Sequence, residues 1–425
     1  MKYAYVNGMV LDGTEHMSAQ RVTVLTDGEN IERILPVGSV PNGYKVIDLA
    51  GRYLLPGLIN LHVHLPGSGK PKKKAQDNAK VVRLMTSNAL MYSILRSMCA
   101  GFARTELMSG VTTIRTMGGV KSVDSSIRDA IEAGKAVGPR ILACNMAVSV
   151  PGGHMAGSLA YTAQSADDAA GYVRLIAADR PDMIKLMITG GVLDAVVKGE
   201  PGVLKMPPEY VKACCGEAHA LGCKVAAHVE SAQGVRVALE NGVDSIEHGA
   251  APDDEILELF KKRNACVITT ISPALPYAFF DRSVSHATEI EQYNGRVVFD
   301  GIIACARACL ENGIPVGLGT DTACPYITHY DMWRELVYYC RYCGVDARFA
   351  LYSATLGNAK IAGIDGLTGS IEAGKCADMI AVEKNPLEDL TTLRNVSLVV
   401  ARGKPFSDPK VKKMPQVEKE LDKFL

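Results

Sequence analysis

The chain has 425 residues, 48% of them apolar and 22% charged, and 46 basic residues balance 46 acidic ones. This is the composition of a globular protein with ample core, which excludes disorder as the main state. The missing basic excess excludes an electrostatic nucleic-acid binder. At about 150 residues per domain the length allows two to three domains, although an α/β barrel of roughly 250 residues counts as one.

Met1–Gly8 holds one Lys and no apolar run of the kind a secretory signal needs, and no window approaches a membrane span. The expectation is a cytoplasmic protein without a membrane partner, its 12 cysteines reduced. Cys340-Arg-Tyr-Cys343 is the one C-x-x-C. It has no second pair and sits in an aromatic-rich helical stretch, so it reads as ordinary thiols rather than a zinc or redox motif.

In chain order, Tyr5–Gly13 reads as a hairpin with a polar tip, followed by short strands at Val22–Leu25, Ile31–Leu35 and Lys45–Leu49. The middle of the chain alternates. Apolar runs at Leu58–His64, Val111–Met117, Arg140–Met146, Met183–Thr189, Lys224–Val229, Ser245–Gly249, Cys266–Ile271 and Val316–Asp321 are strand candidates. Helical periodicity separates most of them, as in Pro208–Leu221 and Val297–Asn312. After residue 366 the β-rich texture returns in Gly369–Lys375, Asp378–Val382 and Leu398–Gly403. The predicted fold class is therefore α/β. A (β/α)8 TIM barrel spans 58–365, and a small β-sandwich is built from both chain ends, 1–57 plus 366–425.

The chemistry gathers at the ends of those strands. His62-Val63-His64 places two imidazoles on one face of the first strand, because strand side chains alternate. Lys185 lies inside an apolar run, where an unpaired ammonium is costly to bury. His228, His248 and Asp321 each close a later strand candidate, at the face where barrel enzymes carry catalytic groups. The intervals leave three βα units between His64 and Lys185, one each to His228 and His248, and two to Asp321. Any one of these residues has an ordinary reading as a satisfied core polar group. Six together do not.

These phrases resemble the amidohydrolase superfamily of metal-dependent hydrolases over essentially the whole chain. The matching residues are Pro56–His64, Ile184-Lys185 with Thr189-Gly190-Gly191, Glu247-His248-Gly249, Gly319-Thr320-Asp321 and Gly369–Asp378. The lysine with its Thr-Gly-Gly sequel is most similar to the branch of Xaa-Pro dipeptidases and zinc carboxypeptidases, a prolidase-like branch related to imidazolonepropionases. The resemblance implies two divalent ions, zinc by preference, and a Lys185 carboxylated at N6 that bridges them. One ion would sit on His62, His64 and Asp321, the other on His228 and His248. It further implies hydroxide attack on an amide of a dipeptide or N-acyl amino acid, Asp321 as acid/base, His154 of Pro151-Gly-Gly-His154 at the oxyanion, and a homo-oligomer. Alternatives on the same metal site are a phosphotriesterase- or lactonase-like hydrolase, a cyclic-amide hydrolase, and an amidase for xenobiotic-type amides.

One position departs from that pattern. Relatives carry Tyr or His two residues after the strand-5 histidine, where peptidases contact the substrate carboxylate. Here Glu230 stands instead, and it favours a neutral or cationic group nearby. Gly67–Lys74, within a 65–80 loop that is a lid candidate, is glycine-rich and basic, and reads first as a solvated loop. His286 and His329 read as rim residues.

Overall fold

The structure, a computed structural model, describes residues 1–38, 40–71 and 77–425. Lys72–Lys74 of the basic loop therefore lie outside the described residues. The described part of that loop is tied down: Tyr326 N donates to Gly69 O at 2.8 Å, and His329 Nε2 donates to Gly67 O at 2.7 Å.

All eight predicted apolar runs contribute strands, and every pairing among them is parallel. Leu58–Val63, Val111–Thr116 and Arg140–Leu142 form a three-stranded sheet. A seven-stranded sheet runs in the order Ala160–Thr162, Ala147–Ser149, Met183–Met187, Lys224–Val229, Ser245–His248, Cys266–Thr269 and Val316–Leu318. Parallel pairing demands crossovers, and helices supply them. Pro208–Ala220 starts with Pro at its first turn, Ser231 caps Ala232–Glu240, and a Thr288/Glu291 capping box starts Glu289–Glu311. The Val297–Asn312 prediction caught only the second half of that last helix.

The run Arg140–Met146 does not hold as one strand. Asn145 takes a left-handed φ of 62°. Its side chain accepts from Ser125 N and donates to Ser125 Oγ, anchoring the break to the helix Val123–Glu132. The chain resumes as Ala147–Ser149 in the other sheet.

The first and last parallel strands meet through Asn358 and a single backbone bond rather than a ladder. Asn358 donates to Ile59 O at 2.7 Å and Leu318 O at 2.9 Å, and accepts from Leu318 N. Asp321 N donates to His62 O at 2.8 Å. Gly319 permits the approach, since a Cβ there would lie 2.5 Å from His62 Cβ.

The chain ends also pair. Met379–Val382 runs antiparallel to Tyr53–Pro56 and to Leu398–Ala401. Tyr5, Val24, Ile31 and Leu54 share a buried cluster with Met379, Ala381 and Leu398. Two local expectations fail here. Tyr5–Gly13 is no hairpin: Lys2–Val6 pairs with Val22–Asp27 in one sheet, while Met9–Val10 pairs with Tyr53–Pro56 in another. Asn7, at φ 58°, turns the chain between them. Gly369–Lys375 forms turns rather than a strand.

Among the described residues no helix is long and apolar enough to cross a membrane, and no disulfide forms. Cys340 and Cys343 fall in a π-helical turn, with Cys343 buried.

Candidate metal centre

His62, His64, Lys185, His228, His248 and Asp321 all reach the C-terminal side of the parallel strands, and all are buried. Two of them bend the chain to do so. His248 and Asp321 hold left-handed φ of 71° and 52°, a conformation that costs of order 1–3 kcal/mol and clusters at functional sites.

Each histidine ring has one nitrogen occupied by the protein. His62 Nδ1 donates to Glu247 Oε2 at 2.8 Å, and His64 Nδ1 donates to Gly118 O at 2.8 Å. His248 Nδ1 bonds Thr270 Oγ1 at 2.6 Å, and His228 Nε2 donates to Gly190 O at 3.2 Å. Carboxylates and carbonyls only accept, so the ring nitrogens facing them carry the proton. The Nε2 atoms of His62 and His64 both face Asp321 Oδ1, at 3.4 and 3.1 Å. Burial holds His62 well below its ordinary pKa, so the ring is neutral and its lone pair opposes an anionic oxygen. A cation between them removes the conflict. The spacing suits it, since ligands about 2.1 Å from a tetrahedral ion lie about 3.4 Å apart.

Two groups of donors emerge. His62, His248 and Asp321 offer atoms within 4.8 Å of one another, and so do His228, Glu230 and His248. Ring contacts tie the groups together, with His62 and His248 centroids 5.1 Å apart and His228 and His248 4.6 Å apart. Lys185 is 1% exposed, and its Nζ has no hydrogen-bond partner. Desolvation lowers it to about 8 against the pull of Glu247 and Asp321. The donor set of imidazole and carboxylate fits a divalent ion.

His154 stacks on His228, centroids 4.1 Å apart and planes within 7°. Its Nδ1 pairs with Asp194, whose Oδ2 also accepts from Gly191 N at 3.0 Å. Glu230 hangs on the same loop region, its backbone N donating to Thr189 Oγ1 at 3.1 Å. Burial, then Asp321 and Asp194, push its carboxyl up to about 8.

Sequence reading missed four supports. Glu247 is fully buried between His62, Arg115 NH2 at 2.7 Å and Ser245 Oγ at 2.6 Å. Strand alternation alone sends Glu247 and His248 to opposite faces; the left-handed turn at His248 brings both to the site. Arg115 lay unremarked in its apolar strand, Asp194 fell three residues beyond the Thr-Gly-Gly signal, and Thr270 carried no signal. His329 is not at the rim. It is 2% exposed, held between Glu106 and Gly67 O.

The model described as "Amidohydrolase family" matches residues 53–406. A crystal structure of a putative prolidase from Bifidobacterium longum is 34% identical, covers 99% of this chain and 98% of its own, and superposes with a TM-score of 0.88. A Xaa-Pro dipeptidase solved with methionine in its active site is 31% identical over 96% of this chain and all of its own, with a TM-score of 0.84. Ochratoxinase of Aspergillus niger is 26% identical over 384 residues, 84% of this chain and 76% of its own.

Proposed function

The chain belongs to the amidohydrolase family and is a hydrolase of amide bonds, and from that premise we propose that it cleaves dipeptides of the Xaa-Pro type or N-acyl amino acids at a binuclear centre. The observation that carries this is Lys185: a buried amine without a partner, among groups that otherwise pair as metal donors. Carboxylation at N6 would turn this cation into an anion with two oxygens, the form able to bridge two ions. His62, His64 and Asp321 would hold one ion, His228 and His248 the other, with zinc the proposed metal.

When bound, the ions would lower the pKa of a water and polarise the scissile carbonyl. The remaining work falls to side chains. Asp321 takes the proton of the attacking water and delivers it to the leaving amine, one group serving both steps. His154, held on one nitrogen by Asp194, presents the other to the developing oxyanion. Glu247 and Gly118 O fix the tautomers of His62 and His64. In this reading the two parallel sheets form one (β/α)8 barrel over 58–365, and the paired ends, 1–57 with 366–425, form a β-sandwich beside it.

The test combines metal and lysine. Elemental analysis is expected to give two divalent ions per chain in protein that turns over a panel of Xaa-Pro dipeptides and N-acyl amino acids. Lys185→Ala is expected to lose activity and recover part of it with short carboxylic acids. Full activity of metal-reconstituted wild type in CO₂-free buffer would show a plain amine at Lys185 and remove the bridge.

A further inference from the structure

We propose that Glu230 is a protein ligand of the ion held by His228 and His248, giving that ion a third ligand of its own in addition to the shared Lys185. The inference rests on the binuclear reading above and adds to it a donor that the matching motifs do not contain.

Three observations converge on it. One carboxylate oxygen of Glu230 lies with a nitrogen of each histidine in a group whose members are all within 4.8 Å of one another. Two imidazoles with one carboxylate form a donor trio of catalytic zinc sites, with a fourth position left open. Glu230 Oε2 is buried and has no hydrogen-bond partner. An ionised oxygen buried there without a donor would be costly, and a cation is the partner that would repay it. Finally, the surroundings are shaped to hold the carboxylate in place. A Cβ at Gly191 would sit 3.3 Å from His228 Nε2 and 3.4 Å from Glu230 Oε2, so the glycine leaves room for the His228 ring and the carboxylate to lie side by side. A Cβ at Gly202 would strike the Glu230 carbonyl at 2.3 Å, so the loop closes against the backbone of this residue.

The competing role for a carboxylate here is to receive a substrate ammonium. The geometry favours ligation: Oε2 has essentially no solvent-accessible surface, whereas an oxygen that greets a substrate must be reachable.

The experiment titrates metal-free full-length protein with Zn²⁺ against a chromophoric chelator, in bicarbonate buffer, for wild type, Glu230→Gln and Glu230→Asp. Thermal unfolding of the metal-free forms checks that all three fold. Wild type is expected to bind two ions. Glu230→Gln is expected to bind one ion unchanged and the other more than about 100-fold more weakly, beyond the roughly 10–100-fold that loss of an outer partner costs. Glu230→Asp keeps the charge but is one methylene shorter, and is expected to weaken the same ion. Co²⁺ spectra are expected to change for that ion alone. If Glu230→Gln binds both ions as wild type does, ligation is overturned, and a selective loss of turnover on substrates with a free amino group would move Glu230 to substrate recognition. If Glu230→Asp matches wild type, the effect is field rather than ligation and the proposal falls. Fewer than two ions in wild type would instead overturn the binuclear reading on which it rests.

Discussion

The two halves of the site are braced in opposite ways. His62, His64 and Asp321 come from the first and last parallel strands, across the junction of the two sheets. Their supports are themselves buried and cross-linked: Arg115 bonds both Glu247 and Leu61 O, Asn60 bonds Thr320 at 2.7 Å, and Thr322 Oγ1 accepts from His64 N at 3.0 Å. His228 and His248 stand on neighbouring strands and lean on a loop carbonyl, Gly190 O, and a helix-cap hydroxyl, Thr270 Oγ1. The loop beyond Gly190 leaves Leu193, Val196 and Val197 exposed. One half is locked by a charge network and the other sits under a lightly packed segment. The first suits proton transfer, where donor positions cannot drift.

The largest expected effect breaks the rigid half. Asp321→Asn keeps the shape but removes the proposed proton carrier. A fall in kcat of about 1,000-fold is expected, with the melting temperature little changed. A loss below tenfold in steady-state assays would reassign the acid/base role.

The lysine between the halves gives a pH test. Burial lowers Lys185 to about 8 in the metal-free fold, against about 10.4 in the unfolded chain. Between those values the unfolded chain binds more protons, so stability rises with pH through that window, by about 3 kcal/mol in all. Urea midpoints of metal-free, CO₂-free protein at successive pH values measure it. Lys185→Met is expected to flatten the rise, and a flat wild-type curve would mean the amine is already modified or paired.

Two milder substitutions address the halves separately. Glu247→Gln is expected to weaken the ion on His62 and His64 by about 10–100-fold and leave the other unchanged. Thr270→Val is expected to weaken only the His248 ion, by up to about tenfold. Competition titrations separate the two sites. Equal effects of both variants on both ions would erase the distinction drawn between the halves.

Much of this was legible before any coordinates. Apolar runs, several of them carrying a His, Lys or Asp, marked the parallel strands, because period and burial are written in residue order. The candidate ligand residues stood out as a set, because six polar groups placed in and at the ends of apolar strands have few other joint uses. The pairing of Arg115 with Glu247 was not legible. A buried ion pair between strands distant in sequence has no local period, and only the tertiary structure placed the guanidinium against the carboxylate. Asp194 was missed for a similar reason, since its partner His154 lies on another loop.

The chain ends show the same division. Alternating residues identified strands there, yet which strands pair was undecided by any local signal. The left-handed corner at Asn7 sends Met9–Val10 to a different sheet from Lys2–Val6, against the hairpin that adjacency predicts. The break at Asn145, held by Ser125, likewise divides one apolar run between two sheets. Local composition thus determined which segments are strands and which residues carry chemistry, because burial and alternation act over a few neighbours. Pairing, tautomer and the near contact of Glu230 with His228 and His248 were decided only in the fold, where groups far apart in the chain share one low-dielectric space and must satisfy one another.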